Sequence, residues 1–205
     1  MTGSDLRFAD YATTEYADGL PREQFIDYAI KPLWADMPRI AGSAYTVKLT
    51  PGDNLMLHAA IYQAPAGSVL VVDAGDDSHA VAGGNVCAIA QQNGIVGMII
   101  DGVIRDIGEI RDAKFPVYAR GCCAKPGVKK VINTPNQAIK CGGVSVNPKD
   151  VVVADEEGIA VIPKAQLEEV FLIAKKRTEK DAATSLEQWR EGHEKKIKEI
   201  LAVKS

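Results

Sequence analysis

This chain of 205 residues has little of what zinc and redox sites are built from. Its three histidines, His58, His79 and His193, are too scattered for a histidine-rich zinc site. Its four cysteines, Cys87, Cys122, Cys123 and Cys141, show no metal-ligand spacing. The adjacent pair Cys122-Cys123 is badly placed to bridge, because a disulfide sets its Cα atoms about 5.5 Å apart. Reduced thiols in a cytoplasmic protein are expected, each explained better by packing than by catalysis. No apolar run approaches the roughly 20 residues that cross a bilayer, and the stretch from Met1 to Asp10 lacks the apolar segment of a signal peptide. A basic field is missing too. Against 24 Lys and Arg stand 27 Asp and Glu, a net charge of −3, which gives no footprint for direct nucleic-acid binding. The late clusters Lys175-Lys176-Arg177 and Lys195-Lys196 interleave with acids and read as a solvated helix face. There is no internal repeat and no low-complexity segment.

What is present suits one globular core: 46% of residues are apolar and 25% charged. Between Pro21 and Trp34, the residues Phe25, Ile26, Tyr28, Ala29 and Leu33 fall at near-helical spacing, which predicts a helix that Pro32 ends or kinks. Ile40 to Leu49 alternates like a strand. Asp53 or Asn54 is placed to start a helix through Leu55, Leu57, Ala60 and Ile61 that stops near Pro65. Ser68 to Gly75 reads as a buried strand, and Gly84 to Asn93 as a helix closed by Gly94. A strand over Val96 to Asp101, a helix over Ile107 to Ala113 and a short strand over Phe115 to Gly121 follow. Val151 to Val153 and Ile159 to Ile162 flank the turn Asp155-Glu156-Glu157-Gly158. After Pro163 an amphipathic tail begins, with Leu167, Val170, Phe171 and Ala174 on one stripe. Beyond Arg177 it turns too polar to bury on its own domain, so it is expected to reach a neighbouring subunit. The pattern predicts an α/β domain over 1–164 and a helical C-terminal arm over 165–205.

Ligands of α/β sheets collect where strands end and helices begin. Two such junctions are rich in chemistry: Asp73 to Val86 and Asp101 to Asp106. Gly83 and Gly84 stand just before a predicted helix, whose free N–H groups and positive end favour an anion, although a plain turn has the same composition. Arg105 offers a planar fork for a carboxylate or phosphate, and Asp106 is a hard oxygen ligand suited to Mg²⁺ or Mn²⁺. The bland readings are a surface ion pair between them, or Asp106 as the cap of the next helix. Asp101 serves either to orient the Arg105 loop or to end its strand. Asp76 and Asp77 are placed to face the site, although turn chemistry explains them equally well, and His79, near Gly83 in sequence, is a candidate to touch substrate. Trp34 and Trp189 read as packing or interface residues.

The block GGNVCAIAQQNGIVGMIIDGVIRDIGEIRDAKFPVYARG resembles the RraA-like family, which holds 4-hydroxy-4-methyl-2-oxoglutarate/4-carboxy-4-hydroxy-2-oxoadipate aldolases and the regulator of ribonuclease E activity A. The likeness extends to GSAYTVKL, HAAIYQAPAGSVLVVDAG and CGGVSVNPKDVVVADEEGIAVIP, covering Ile40 to Pro163 in order. It implies a swivelling β/β/α-type domain, assembled as trimers or hexamers with the site between subunits. In the aldolase branch it implies that Gly83, Gly84, Asn85 and Val86 hold a 2-keto acid through backbone N–H groups. Arg105 would bind the pyruvyl part, and Asp106 would help hold Mg²⁺ or Mn²⁺. The implied activity is cleavage of such acids to pyruvate, with decarboxylation of oxaloacetate. Aldolase-branch relatives usually carry an acid where this chain has Gly84. A further acid is expected from a neighbour's arm, with Glu179 and Asp181 as candidates. The alternative is a non-catalytic regulator of a ribonuclease E-like partner. A methyltransferase is disfavoured, because no Gly-rich strand-to-helix loop is followed by an acid at the next strand end.

Overall fold

The protein is described here from a computed structural model, which covers residues 5–203. The ends of the two segments expected from sequence, 1–4 and 204–205, lie outside them. Four strands run parallel at its centre: β2 (Ile40–Lys48), β3 (Ser68–Asp73), β4 (Gly97–Ile104) and β5 (Val117–Cys122). Antiparallel strands flank them. The two-residue β1 (Lys31–Pro32) borders β5, while β8 (Val151–Asp155) and β9 (Gly158–Ile162) extend the sheet beyond β2. A separate hairpin pairs β6 (Ile139–Cys141) with β7 (Val144–Val146).

Side-chain alternation explains why the central strands are apolar on both faces along their middles. Along a strand, successive residues face opposite sides, so a sheet covered on both faces needs apolar residues at every position. In β3, Leu70 and Val72 face one core with Met98, Ile100, Val117 and Ala119, while Val69 and Val71 face a second with Ile99 and Tyr118. The first core is roofed by α1 (Leu55–Gln63), α2 (Gly84–Gln92) and α3 (Ile107–Asp112), which supply Leu57, Ile61, Cys87, Ala90 and Ile110. The second is closed by the β6–β7 hairpin through Ile139, Cys141, Val144 and Val146. A third cluster lies under the N-terminal 3-10 turns, where Phe8, Tyr16, Val153, Ala160 and Ile162 meet Val170 and Ala174 of α4 (Leu167–Ala183). The stripe of Leu167, Val170, Phe171 and Ala174 thus packs against the same chain. Beyond it, α5 (Leu186–Val203) exposes Leu186, Trp189, Ile200 and Leu201.

Two expectations are corrected. The segment from Pro21 to Trp34 is not a helix. It is a 3-10 turn over Arg22–Gln24, then a bridge at Phe25 and a turn in which Ile30 N–H bonds Asp27 O at 2.9 Å before β1. Its donors serve other elements: Ile26 N–H bonds Ile159 O at 3.0 Å and Asp27 N–H bonds Gly142 O at 3.0 Å. Ile26 and Ile30 are buried, but Tyr28 is 90% exposed. The second correction lengthens β4, which runs three residues past Asp101 to Ile104 after a register shift against β5. Gly102 permits this, since a β-carbon there would stand 2.5 Å from Ala74 Cβ. The other helices and strands lie within a residue or two of expectation, and the β6–β7 hairpin was not foreseen.

Candidate active site

The extension of β4 builds the site. Residues 80–82 run beside it: Ala80 bridges Val103, Val81 N–H bonds Val103 O at 3.0 Å, and Arg105 N–H bonds Ala82 O at 3.0 Å. That pairing sets the glycine loop at the start of α2 against the Arg105-Asp106 turn. Gly83, the residue before α2, can carry no side chain, because a β-carbon would lie 2.5 Å from Asp106 Oδ2 and 3.1 Å from Arg105 Nε. Gly84 N–H donates to Asp106 Oδ2 at 3.1 Å. A carboxylate therefore sits at the positive end of α2, where free N–H groups and the helix dipole favour it. Asn85 and Val86, also in the first turn, have no intrahelical carbonyl to donate to.

Asp106 adopts the left-handed conformation, φ 59° and ψ 37°, which an aspartate tolerates better than most residues. It precedes α3 but makes no side-chain cap to it. Its carboxylate is turned to α2 instead and lies 3.4 Å from Arg105 Nε, with both side chains partly exposed. The ion pair foreseen as a bland reading thus exists, and the helix cap does not.

Gly83, Asn85, Val86, Arg105 and Asp106 line a cavity of about 200 Å³ with Asn54, His58, Pro126 and Lys129, while Gly84 is not among its lining residues. Asn54, His58 and Lys129 were missed from the sequence. Asn54 is 5% exposed, and its Oδ1 has no hydrogen-bond partner among the described residues. His58 sits one turn along α1, with its imidazole held below the ordinary value by burial first, then by Lys129 and Arg105. Lys129 is fixed through its neighbours. Buried Asp53 accepts the N–H groups of Lys130 at 2.6 Å and Val131 at 3.1 Å, as well as Leu55 at 2.8 Å. The strand-end rule applied to β2 would have found Asn54 and His58. Lys129 lies in a loop whose sequence has no periodic signal.

Other candidates fall elsewhere. Asp101 binds Arg120 Nε at 2.5 Å and Gly142 N–H at 2.7 Å, so it ties β4 to β5 and to the hairpin. Asp76 and Asp77 line a different cavity with Asp73, Asp101 and Arg120. His79 Nδ1 lies 2.7 Å from Ser78 Oγ and is not among the residues lining the Arg105 cavity. Glu179 and Asp181 make i,i+4 ion pairs with Lys175 and Arg177 on α4. Trp34 packs against the first two cores, whereas Trp189 stacks on His193 at 4.6 Å. Burial pushes the Cys87 thiol up to about 12 and raises Cys141 as well, so neither is a ready nucleophile.

Among the described residues, no three His, Cys, Asp or Glu side chains cluster as a metal cage. The donor set fits Mg²⁺ or Mn²⁺ better than zinc, because a hard ion is often held by one or two carboxylates plus substrate and water. A cation beside Asp106 and an anion between Arg105, Lys129 and the start of α2 suit a small oxyacid.

The fold and the cleft together define a mixed α/β protein whose polar pocket lies at the carboxyl ends of parallel strands. The chain belongs to the RraA-like family, described as aldolase/RraA, whose model matches residues 13–161. A relative from Halalkalibacterium halodurans, named "Putative 4-hydroxy-4-methyl-2-oxoglutarate aldolase", is 39% identical over 86% of this chain and 84% of its own. An uncharacterized protein from Pseudomonas syringae superposes with a TM-score of 0.78 at 27% identity, covering 94% of this chain and 95% of the other. The RNA-processing inhibitor RraA from Thermus thermophilis gives 0.67 at 28% identity, over 75% of this chain and 93% of that one. No helix among the described residues is long and apolar enough to cross a membrane.

Proposed function

We propose that the protein is a divalent-metal-dependent lyase that releases pyruvate from small 2-keto acids of the 4-hydroxy-4-methyl-2-oxoglutarate kind and from oxaloacetate. The carrying observation is the convergence of Arg105, Asp106 and the N-terminus of α2 on one cavity. The names of relatives support the same reading. Asp106 would hold Mg²⁺ or Mn²⁺, which when bound supplies Lewis-acid polarisation of the keto oxygen. Arg105 would grip the keto-acid carboxylate and stabilise the negative charge that develops as the carbon–carbon bond breaks. The N–H groups of Asn85 and Val86 would orient the same carboxylate. Lys129, with the amide of Asn54, would receive the polar end of the substrate. The assembly would be a homotrimer or homohexamer with the site near a subunit interface, toward which the exposed apolar residues of α5 are suited.

The test is pyruvate release from both substrates with Mg²⁺, Mn²⁺ or chelator, for wild-type protein, Arg105→Ala and Asp106→Ala. Metal-dependent turnover lost in both variants supports the lyase. Turnover indifferent to both moves the chemistry elsewhere. A second reading, regulation of a ribonuclease E-like partner, draws on the likeness to the Thermus inhibitor. Inhibition of such a ribonuclease by Arg105→Ala as strong as by wild type would favour it.

A further inference from the structure

The start of α1 brings two hydrogen-bond acceptors to the cavity. Asn54 is buried, and its Oδ1 has no partner among the described residues. The side chain makes no cap to α1, so its oxygen is not used by the helix it precedes. A buried acceptor without a donor is costly, and its place in a cavity wall calls for a ligand that supplies one. His58 follows one helical turn later on the same face, with its backbone N–H bonded to Asn54 O at 3.2 Å. No hydrogen bond occupies its imidazole among the described residues. Burial first, then Lys129 and Arg105, favour the neutral ring, which accepts a proton. With Asp106, those two are the charged side chains that line the cavity beside it.

The chemistry of the ligand decides which donor meets these acceptors. A 4-hydroxy-2-keto diacid has both carboxyl groups ionised near neutral pH, so its C4 hydroxyl is its only donor. Oxaloacetate in its keto form has none. We propose that Asn54 Oδ1 receives the C4 hydroxyl and that His58 removes its proton as the carbon–carbon bond breaks. The hydroxyl hydrogen turns about the C4–O bond, so it rests on Asn54 and leaves through His58. The proton passes to the imidazole and C4–O becomes a carbonyl. The electron pair of the C3–C4 bond stays on the other fragment as pyruvate enolate. The imidazolium then gives its proton to water and C3 takes one from water, which balances the step and yields pyruvate. Decarboxylation of oxaloacetate has no hydroxyl proton to remove, so it bypasses His58. This assignment rests on the lyase reading and adds a catalytic residue to it.

The experiment compares pyruvate release from 4-hydroxy-4-methyl-2-oxoglutarate and from oxaloacetate across pH, with thermal melting beside it. The proteins, full chains supplied with Mg²⁺, are wild type, His58→Gln, Asn54→Ala and Arg105→Ala. His58→Gln is expected to lower kcat for the hydroxy acid about 10²–10⁴-fold, the usual worth of a placed base. Its oxaloacetate turnover and its melting temperature should stay near wild type. Wild-type cleavage of the hydroxy acid should fall toward acid as the ring protonates. Oxaloacetate turnover, and residual cleavage by His58→Gln, should lack that limb. Asn54→Ala is expected to raise KM for the hydroxy acid about tenfold, the worth of one hydrogen bond, and to change KM for oxaloacetate less. Equal losses on both substrates in His58→Gln overturn the assignment, because a defect of folding or of general binding spares neither. Undiminished cleavage in His58→Gln, beside loss in Arg105→Ala, also overturns it and leaves the lyase reading standing. Wild-type protein that acts on oxaloacetate alone overturns the assignment only. Wild-type protein that turns over neither substrate overturns both.

Discussion

The backbone N–H of Gly84 donates to Asp106 Oδ2 at 3.1 Å, while Asp106 itself sits at a φ of 59°. Two demands meet on one residue: a left-handed backbone and an oxygen that faces the preceding helix, α2. Asparagine satisfies both, since it tolerates that conformation and keeps an amide oxygen, but it carries no charge. Asp106→Asn should therefore melt near wild type while losing metal-dependent turnover. Asp106→Ala should lose turnover and in addition about 1–2 kcal/mol of stability, because alanine is strained there. Equal melting of the two variants would contradict the backbone argument.

Arg105 is expected to act through geometry as well as charge. Removing a preorganised donor from a developing anion commonly costs about 10²–10³-fold. Arg105→Ala should lower kcat/KM for pyruvate release by that factor. Arg105→Lys should recover only part, because a point charge replaces a planar fork. Steady-state kinetics on oxaloacetate decide it, and full recovery with lysine would remove the fork from the account.

His58 offers a pH readout of the cavity. Burial, then Lys129 and Arg105, hold its imidazole below the ordinary value. An anion bound between those two cations offsets their repulsion and raises the imidazole from its depressed value, although the burial that holds it down stays. Ligand binding then favours uptake of a proton, so oxalate affinity should rise as pH falls. His58→Gln should abolish the trend. An imidazole resonance that ignores saturating oxalate would place His58 outside the ligand's reach.

Asp53 links stability to the Lys129 loop. Burial alone would raise its carboxyl, but three N–H donors and Lys129 outweigh it and hold the group below the ordinary range. Since the folded value is depressed, the stabilisation is fully present above the ordinary carboxylate pKa of about 4 and fades as pH falls through the folded value. Asp53→Asn should cost about 1–3 kcal/mol at pH 7, and the gap to wild type should narrow at pH 3. Urea melts at both values measure it. A gap independent of pH would mean that the charge is not what matters.

The segment before β1 gives a direct test of the corrected assignment. Ile30 is 1% exposed and Tyr28 is 90% exposed. Ile30→Ala should cost about 2–5 kcal/mol, and Tyr28→Ala within about 0.5. An apolar helix face containing Tyr28 would instead make both costly.

Wherever neighbours in sequence carried the information, the sequence alone determined the outcome. The runs at 69–72 and 98–100 are apolar at every position because both sheet faces are covered, and that pattern needs no tertiary knowledge. The start of α2 at Gly84 and the left-handed Gly94 after it followed from local backbone chemistry, as did the turn between β8 and β9. Arg105 and Asp106 stood out because charge at the end of a buried strand is costly unless it has a use. Tertiary structure decided the rest. The spacing of Ile26 and Ile30 is compatible with a helix, but long-range bonds to Ile159 and Gly142 offered its N–H groups better partners. Lys129 reaches the cavity only through the grip of Asp53 on Lys130 and Val131, 77 and 78 residues away. Nothing in the chain's order shows that Asp106 fills the space beside Gly83. That depends on how the turn after β4 packs against α2, a matter of which side chain excludes which, and exclusion is visible only in three dimensions.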